Sequence, residues 1–445
     1  MTNPEGEGRI GLGGAIFTIV GFVIGASIFI LPGAIAAEAG PGVVLAYLIA
    51  GVAAFFACLV AAQIGTLMPR SGAGFTVVAA HVSPVFGFMV IWLMICAASL
   101  AVAFLADGFG NYLAALAPGV HPTLAAFMVL VLCGLLNLAG IRSAVWTQGA
   151  LVIVLMGILA AFVVVGFQRL DPANLSPFLP AGFAPVLAAV VPAFFSFAGF
   201  MMIIELGGEV KRPRRAIPVA LTVSFIVVMM VYVLVSLTLV GVVNWRELGA
   251  FPAPMGEAAG RIFPPWAATA LSVSVLAAAA TSINAMILGY SRYVVPLARV
   301  GLLPRSWAGG GVRGANPAAG VIIILVMSGL ALGLRDSLTQ IATLIVAALM
   351  MVQILLGLAL VRIFLANPKG RLAAVAGIFS GCGLIAVSAG FLLISLWNDG
   401  VTLGVMVVYG GVGGVVYGLR RRALRTQGVA LDQRIRDEAV ASEPL

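Results

Sequence analysis

Charged residues divide this chain into long apolar intervals. Nine intervals contain no charged residue, and each holds 20 to 31 residues. They run from Arg9 to Glu38, Glu38 to Arg70, Arg142 to Arg169, Arg215 to Arg246, Arg261 to Arg292, Arg313 to Arg335, Asp336 to Arg362, Arg371 to Asp399 and Asp399 to Arg420. A membrane-spanning α-helix needs about 20 apolar residues, so each interval predicts one span. The stretches on either side of Asp107, between Arg70 and Arg142, predict one span each, and another follows Asp171 and runs through Glu205 to Glu209.

The composition excludes a soluble protein. Hydrophobic residues make up 62% of the 445 positions and charged residues only 9%, whereas a soluble domain carries about 25% charged residues. The sequence therefore predicts an all-α polytopic membrane protein with 12 transmembrane helices, which are numbered as spans 1 to 12.

The positive charges predict the orientation in the membrane. If the N-terminus is cytoplasmic, 20 of the 24 Lys and Arg residues fall on the cytoplasmic side, and Arg169, Arg246, Arg261 and Arg335 fall outside. Cytoplasmic loops carry such an excess of positive charge. We therefore expect both termini in the cytoplasm and the chain in the inner, or plasma, membrane. The net charge of +9 is then explained by orientation, without nucleic acid as a partner.

Residues that support catalysis are scarce. The chain has two histidines and four cysteines, and their spacing suggests no metal-ligand set. No sequence motif indicates a phosphate-binding loop between a strand and a helix. The sequence thus predicts neither an enzyme nor a metal or other cofactor.

Two spans contain interruptions of small residues. Span 1 has Gly25-Ala26-Ser27 near its middle, and span 6 has Ser196 and Gly199 in an apolar run. Interruptions five spans apart indicate an inverted repeat of five plus five helices, although small residues in span 1 alone are also typical of a close helix crossing. The helix N-termini at such breaks attract a carboxylate, and the freed carbonyls accept from an ammonium group. An α-amino acid carries both groups.

Four segments resemble the motifs of a known family. They are Gly21 to Pro32, Pro69-Arg70-Ser71-Gly72-Ala73-Gly74-Phe75, Phe194 to Pro218, and Ser291 to Pro304. In this order they resemble the amino acid–polyamine–organocation (APC) superfamily of transporters. The resemblance implies the leucine-transporter-like fold, with discontinuous helices 1 and 6, and alternating access around a central amino-acid site.

The resemblance also implies how the chain is divided. Residues 1–9 would form a cytoplasmic tail, residues 10–170 the first inverted repeat with spans 1–5, and residues 171–366 the second with spans 6–10. Residues 367–420 would form spans 11 and 12 outside the repeats, and residues 421–445 a cytoplasmic tail.

The site residues likewise follow from the resemblance. The carboxylate of the substrate would bind the backbone of Ile24, Gly25, Ala26 and Ser27. Its amine would bind the carbonyls of Phe194, Phe197 and Ala198, and Phe197 would be an aromatic gate over the ligand. The side-chain pocket would contain Met94, Ile95, Ser99, Ser282 and Met286, for which ordinary packing between helices is the alternative interpretation.

The substrate class depends on two positions of span 6. Many relatives that transport arginine, agmatine or polyamines carry an acid where this chain has Met201, and a methionine suits an apolar ligand. We therefore expect a neutral amino acid with an apolar or small side chain. Glu205 lies four residues, or about 6 Å, further along the helix, and an ionisable residue inside a span is a functional candidate. It would carry a proton, pair with a cationic substrate, or pair with the basic loop at residues 211–215.

The mode of coupling stays open at this level. Some relatives carry a lysine in span 5 near the place of Leu155, and sodium would need carbonyls of span 1 with hydroxyls such as Thr281 and Ser282. We favour proton-coupled symport or exchange, with sodium coupling as the alternative. Two other functions also stay open, a cationic amino acid or polyamine transporter that uses Glu205 and an amino acid sensor without transport. Asp107, near the outer end of span 3, is expected to be solvated or part of a gate.

Overall fold

The computed structural model describes residues 10–68, 73–139, 145–201, 203–204, 210–308, 318–334, 338–366, 370–398, 400–427 and 430–441. Helices make up most of these residues, and the β-type pairing among them is one isolated bridge between Ile10 and Val210. The all-α class predicted from the sequence is confirmed.

The first five spans contain six helices, and one further helix lies between spans 2 and 3. They are α1 (Leu12–Ile24) and α2 (Ser27–Ala39) in span 1, α3 (Val43–Leu67) in span 2, α4 (Ala73–His81) in the next connection, α5 (Pro84–Leu116) in span 3, α6 (Pro122–Leu138) in span 4 and α7 (Val145–Gln168) in span 5. Pro84 and Pro122 begin their helices, where a missing N–H removes no helical hydrogen bond. Ser83 caps α5 by accepting from the amide of Phe86 at 3.4 Å.

The rest of the chain continues this pattern. Span 6 is α8 (Ala184–Phe195) with a 3-10 turn (Ala198–Met201), span 7 is α9 (Pro213–Val242), and two short helices follow, α10 (Trp245–Leu248) and α11 (Pro254–Ile262). Span 8 is α12 (Pro265–Tyr290), followed by α13 (Val294–Arg299), and spans 9 to 12 are α14 (Ala318–Leu334), α15 (Leu338–Ala366), α16 (Arg371–Asn398) and α17 (Gly400–Thr426). The last helix is α18 (Leu431–Ala441).

Within the described residues, helices therefore occupy all twelve predicted spans. Among the residues that the structure describes, eight helical stretches are long and apolar enough to cross a membrane, and the first of them, Leu12–Leu67, comprises α1, α2 and α3. Pro122–Leu138 and Ala318–Gly333 are shorter apolar helices. The interruption of span 1 between α1 and α2 and that of span 6 after α8 both lie where the sequence predicts them.

The spans differ in burial. Of the most apolar 18-residue segment of α5, 78% is buried inside the protein, against 28% for Leu151–Gln168 of α7. Helix α5 is therefore central and packs against α6, α12, α14 and α15. Helix α7 instead exposes apolar side chains such as Ile153 and Val164, as expected for a surface that faces lipid.

The expectation that Asp107 is solvated is wrong. Asp107 is 2% exposed, and the side-chain amide of Asn111 donates to its Oδ2 at 3.2 Å. Helix α5 has 33 residues and continues for more than two turns beyond Asp107. The single charge in this apolar stretch therefore does not mark the end of the span.

The C-terminal tail packs on the helical bundle. In α18, Leu431 and Ile435 are buried in a second apolar cluster that includes Phe75 of α4 and Leu297 of α13. Asp432 pairs with Arg421 and accepts from the hydroxyl of Tyr417. The end of the chain is thus joined to α4 and to the last span.

Some predicted features lie outside the described residues. These include residues 69–72 of the motif after span 2 and residues 205–209, with Glu205 and Glu209.

Among the described residues between spans 7 and 8, the Glu247 carboxylate accepts from Arg261 at 2.7 Å. This hydrogen bond is the main reason why the pKa of Arg261 is raised.

Candidate functional site

The break in span 1 is a two-residue turn. Helix α1 ends at Ile24, and Gly25 has φ +42° and ψ −139°, a conformation that residues with a side chain rarely adopt. The Gly25 amide donates to the carbonyl of Gly21 at 3.0 Å and closes α1. Gly25 and Ala26 therefore lie between the two helices, and α2 begins at Ser27.

Helix α2 begins without a side-chain cap. Its N-cap residue is Ala26, and the structure records no side-chain hydrogen bond that caps the helix at this position. The first amide groups of a helix have no partner inside the helix, and they carry the positive end of the helix dipole. Ala26 and Ser27 are buried, so this donor-rich end lies inside the protein. Such an arrangement attracts a carboxylate.

At the break in span 6, the end of α8 and the residues after it form hydrogen bonds of the 3-10 type. The amide of Phe197 donates to the Phe194 carbonyl at 2.9 Å, and the amide of Phe200 donates to the Phe197 carbonyl at 3.3 Å. Each carbonyl has a second lone pair. The carbonyls predicted to bind the substrate amine therefore each keep one acceptor site, and Ala198 begins the 3-10 turn beside them.

The two breaks touch at Gly199. A Cβ atom on Gly199 would lie 2.9 Å from the Cα of Val23 and 3.0 Å from the carbonyl oxygen of Phe22. Because these neighbours are backbone atoms that cannot move aside, only glycine fits at this position. The backbone of span 6 thus reaches the backbone of span 1 just before its break, as the paired interruptions predict.

Tyr232 of α9 connects both breaks through its hydroxyl group. The Tyr232 oxygen lies 3.3 Å from the carbonyl of Val23, 3.2 Å from the carbonyl of Ser196 and 3.0 Å from the Oγ of Ser27. Ser27 in turn donates to the carbonyl of Ile24 at 3.2 Å. The hydroxyl carries one proton and donates to one of the two carbonyls at a time. The Tyr232 side chain of span 7 therefore lies between the two broken spans, within hydrogen-bonding distance of both.

Aromatic side chains surround this hydroxyl group. Tyr47 of α3 stacks on Tyr232 with 5.1 Å between ring centroids, and its hydroxyl lies 3.4 Å from the Oγ of Ser196. Phe197 lies 5.2 Å from the Tyr232 ring and 6.5 Å from Phe200. Phe197 is 1% exposed. The residue predicted as an aromatic gate thus lies inside a closed aromatic cluster.

A small cavity lies beside the break in span 6. We call it the methionine cavity, and its described lining is Gly74, Val90, Met94, Met201, Ile204, Leu349, Val352, Gln353 and Leu356. Its volume is about 30 Å³, roughly twice the smallest space that holds one water molecule. Met94 and Met201, two of the predicted pocket residues, meet in this cavity.

Ser282, a third predicted residue, lies at the break in span 1. A Cβ atom on Gly25 would lie 3.2 Å from the Ser282 Oγ, so span 8 contacts the turn in span 1 at this point. Met286, one turn further along α12, is partly buried and packs against the main apolar core. Met286 is not among the described residues that line the methionine cavity.

The side chains of three other predicted residues point elsewhere. Ile95 belongs to the second apolar cluster with Phe75 and Leu297, because adjacent residues of a helix lie on different faces and Met94 already faces the methionine cavity. Ser99 donates to the carbonyl of Ile95 at 2.8 Å, and its own carbonyl accepts from Ser328 of α14. Phe194 packs edge-on against Phe391 of α16.

The sequence analysis missed Tyr232 and Tyr47. Both are tyrosines in the middle of charge-free apolar runs, and the chain has only seven tyrosines. A phenolic hydroxyl deep inside a span needs a hydrogen-bond partner, so the sequence could have indicated these two tyrosines as candidate site residues. It could not have indicated their partners, because the three contacts of Tyr232 come from spans 1 and 6.

These features define a class of protein. The chain is a polytopic helical membrane protein in which two interrupted helices meet in the interior. One carries amides without a side-chain cap, and the other carries carbonyls that each keep one acceptor site. Comparison with known sequences then identifies the family. Residues 14–412 match the family model of amino acid permeases, and the chain belongs to that family.

Individual relatives differ in what they transport. The chain is 29% identical to the branched-chain amino acid permease BcaP of Lactococcus lactis, over 69% of this chain and 72% of that protein. It is 26% identical to the vacuolar cationic amino acid transporter 8 of Arabidopsis thaliana, over 86% of this chain and 67% of that protein. It is also 26% identical to the methylthioribose transporter of Bacillus subtilis, over 65% of this chain and 67% of that protein.

Proposed function

We propose that this protein is a secondary active amino acid transporter that works by alternating access. Its substrates are neutral amino acids with apolar or small side chains. The observation that carries the proposal is the contact of the two helix breaks at Gly199 and Val23, beside a cavity lined by Met94 and Met201.

Each part of the substrate has a complementary group in this proposal. The carboxylate binds the buried amides at the N-terminus of α2, near Ala26 and Ser27, where the helix dipole favours a negative charge. The ammonium group binds the carbonyls at the end of α8. The side chain enters the methionine cavity, whose two flexible thioethers adapt to irregular apolar shapes.

A neutral substrate is favoured because the cavity offers no counter-charge. None of the described lining residues is charged, and a buried cationic side chain without a partner is costly. The relative BcaP is named for branched-chain amino acids, which supports the same class. The second candidate is a cationic amino acid, because cationic amino acid transporters are also among the relatives. In that case Glu205, outside the described residues, would supply the carboxylate.

The coupling ion in this proposal is a proton, through symport or exchange. Sodium would use carbonyls of span 1 and hydroxyls of span 8. In the structure the Ile24 carbonyl accepts from Ser27 and Thr281 donates to carbonyls of its own helix at 2.9 and 3.0 Å. A carbonyl keeps a second lone pair and a donating hydroxyl keeps its oxygen lone pairs, so sodium stays the alternative. The proton is favoured because Glu205 is an ionisable residue inside a span. We also propose that both termini lie in the cytoplasm and that the protein resides in the inner or plasma membrane.

The substrate class is tested with the purified protein in liposomes. We expect labelled leucine to be taken up and unlabelled valine or isoleucine to compete, while arginine, agmatine and putrescine do not. In Met201→Glu, a buried carboxylate should lower uptake of leucine and let arginine compete. Met201→Gln is the matched control, since it adds polarity of similar shape without charge and should not admit arginine. Competition by arginine in the wild type, equal to that by leucine, would instead establish the cationic alternative.

A further inference from the structure

One polar side chain faces the methionine cavity. Gln353 of α15 is 2% exposed, and the other described residues that line the cavity are glycine or apolar residues. Gln353 was not among the residues expected at the site. A single amide in an otherwise apolar cavity is the usual way in which a ligand pocket fixes orientation and selectivity.

The hydrogen bonds of Gln353 leave part of its amide for a ligand. Ser388 of α16 donates to the Gln353 Oε1 at 3.3 Å. Within the described part of the chain, this is the one hydrogen bond of the Gln353 side chain. The Nε2 group carries two N–H donors, and a buried donor that stays unpaired is unfavourable. The Nε2 group therefore favours a ligand that can accept a hydrogen bond from it.

The cavity can contain such an acceptor. Its volume of about 30 Å³ exceeds the space that one water-sized group needs. Met94 and Met201 have unbranched, flexible side chains that yield to a larger group. A substrate side chain that enters the cavity would therefore meet the amide directly.

We propose that Gln353 determines specificity in the substrate site, and that its amide donates to a hydroxyl or amide oxygen on the side chain of the substrate. This proposal rests on the proposed function. A purely apolar cavity would accept valine and leucine and discriminate against threonine and asparagine, their polar near-isosteres. With Gln353 in the wall, the transporter accepts threonine beside valine and asparagine beside leucine.

The experiment measures how well threonine and valine, and asparagine and leucine, inhibit uptake of labelled leucine in liposomes. In Gln353→Met, which keeps the length of the side chain, the ratio of the threonine to the valine inhibition constant should rise roughly threefold to tenfold, the range for one net hydrogen bond. The ratio is the measured quantity, because a general loss of binding changes both inhibition constants alike.

The chain supplies a matched control. Gln63 of α3 also bonds to a serine of α16, since its Nε2 donates to the Ser380 Oγ at 2.7 Å, but it is not among the residues that line the methionine cavity. Gln63→Met therefore removes a similar Gln–Ser contact with the same helix. It should leave the threonine to valine ratio unchanged.

The outcomes separate the two proposals. If valine does not inhibit uptake in the wild type, the proposed function fails and this inference fails with it. If valine inhibits but the ratio is the same in the wild type and Gln353→Met, only the inference fails. An equal rise in Gln63→Met also overturns it, because the effect then comes from packing against α16. If Gln353→Met does not fold, Gln353→Asn is tested instead. Its shorter side chain places the amide further from the substrate, so the ratio of the threonine to the valine inhibition constant should rise in the same way.

Discussion

Tyr232 shows how much of the site depends on a single hydroxyl group. Its oxygen lies within hydrogen-bonding distance of carbonyls on both broken spans and of Ser27. Backbone carbonyls freed by a helix break must be satisfied inside a membrane, where no bulk water is present. The side chain of span 7 therefore stabilises the breaks rather than the helix on which it lies.

We expect Tyr232→Phe to lose transport while still folding. The ring and its stacking on Tyr47 remain, but the carbonyls of Val23 and Ser196 lose the single O–H donor that they share, which costs about 1–3 kcal/mol of stability. The measurement is thermal unfolding in detergent together with leucine uptake in liposomes. The control is Tyr409→Phe, because the Tyr409 hydroxyl lies 3.4 Å from one carbonyl, that of Trp92, at the contact of α17 with α5. Transport that is equal in the two variants would contradict this role of Tyr232.

At the scale of elements, the breaks of spans 1 and 6 depend on glycine for two different reasons. Gly25 has a backbone conformation, φ +42°, that favours glycine. Gly199 is needed for space, because the backbone of Val23 and Phe22 lies where its Cβ would be. A helix break in this fold is therefore also a packing contact between elements.

Gly199→Ala should separate the two breaks and strongly reduce uptake. The added methyl group would lie about 3 Å from backbone atoms, and such overpacking typically costs about 1–3 kcal/mol. Gly157→Ala in α7 is the matched control, since nothing lies within 4 Å of its Cβ position and alanine favours the helix. Uptake and thermal stability of the two variants are compared. Normal uptake by Gly199→Ala would show that close contact of the breaks is not required.

At the scale of the whole molecule, alternating access requires the site to be reached from each side in turn. The tail helix α18 packs against α4 and α5, with Leu431 and Ile435 in the second apolar cluster. Gly74 of α4 also lines the methionine cavity. The cytoplasmic end expected from the charges is thus physically connected to the site through one short helix.

Proton coupling also belongs to this scale, and Glu205 is its candidate residue. If Glu205 carries the proton, leucine uptake by the wild type should rise as the external pH is lowered, and Glu205→Gln should remove this dependence while the protein still folds. Glu257→Gln is the control, since Glu257 is a half-buried partner of Arg261 between spans 7 and 8. If the pH dependence of Glu205→Gln equals that of the wild type, Glu205 does not carry the proton.

The sequence by itself determined the class of fold, the number of spans and the places where spans 1 and 6 break. These follow from local properties, because an apolar run must become a helix in lipid and small residues in a run permit an interruption. It also identified Met94, Met201 and Ser282, which lie at the breaks or the methionine cavity. Only the tertiary structure decided the partners of Tyr232, the burial of Asp107 and the position of Gln353, since each depends on which face of one helix meets another helix far away in the chain.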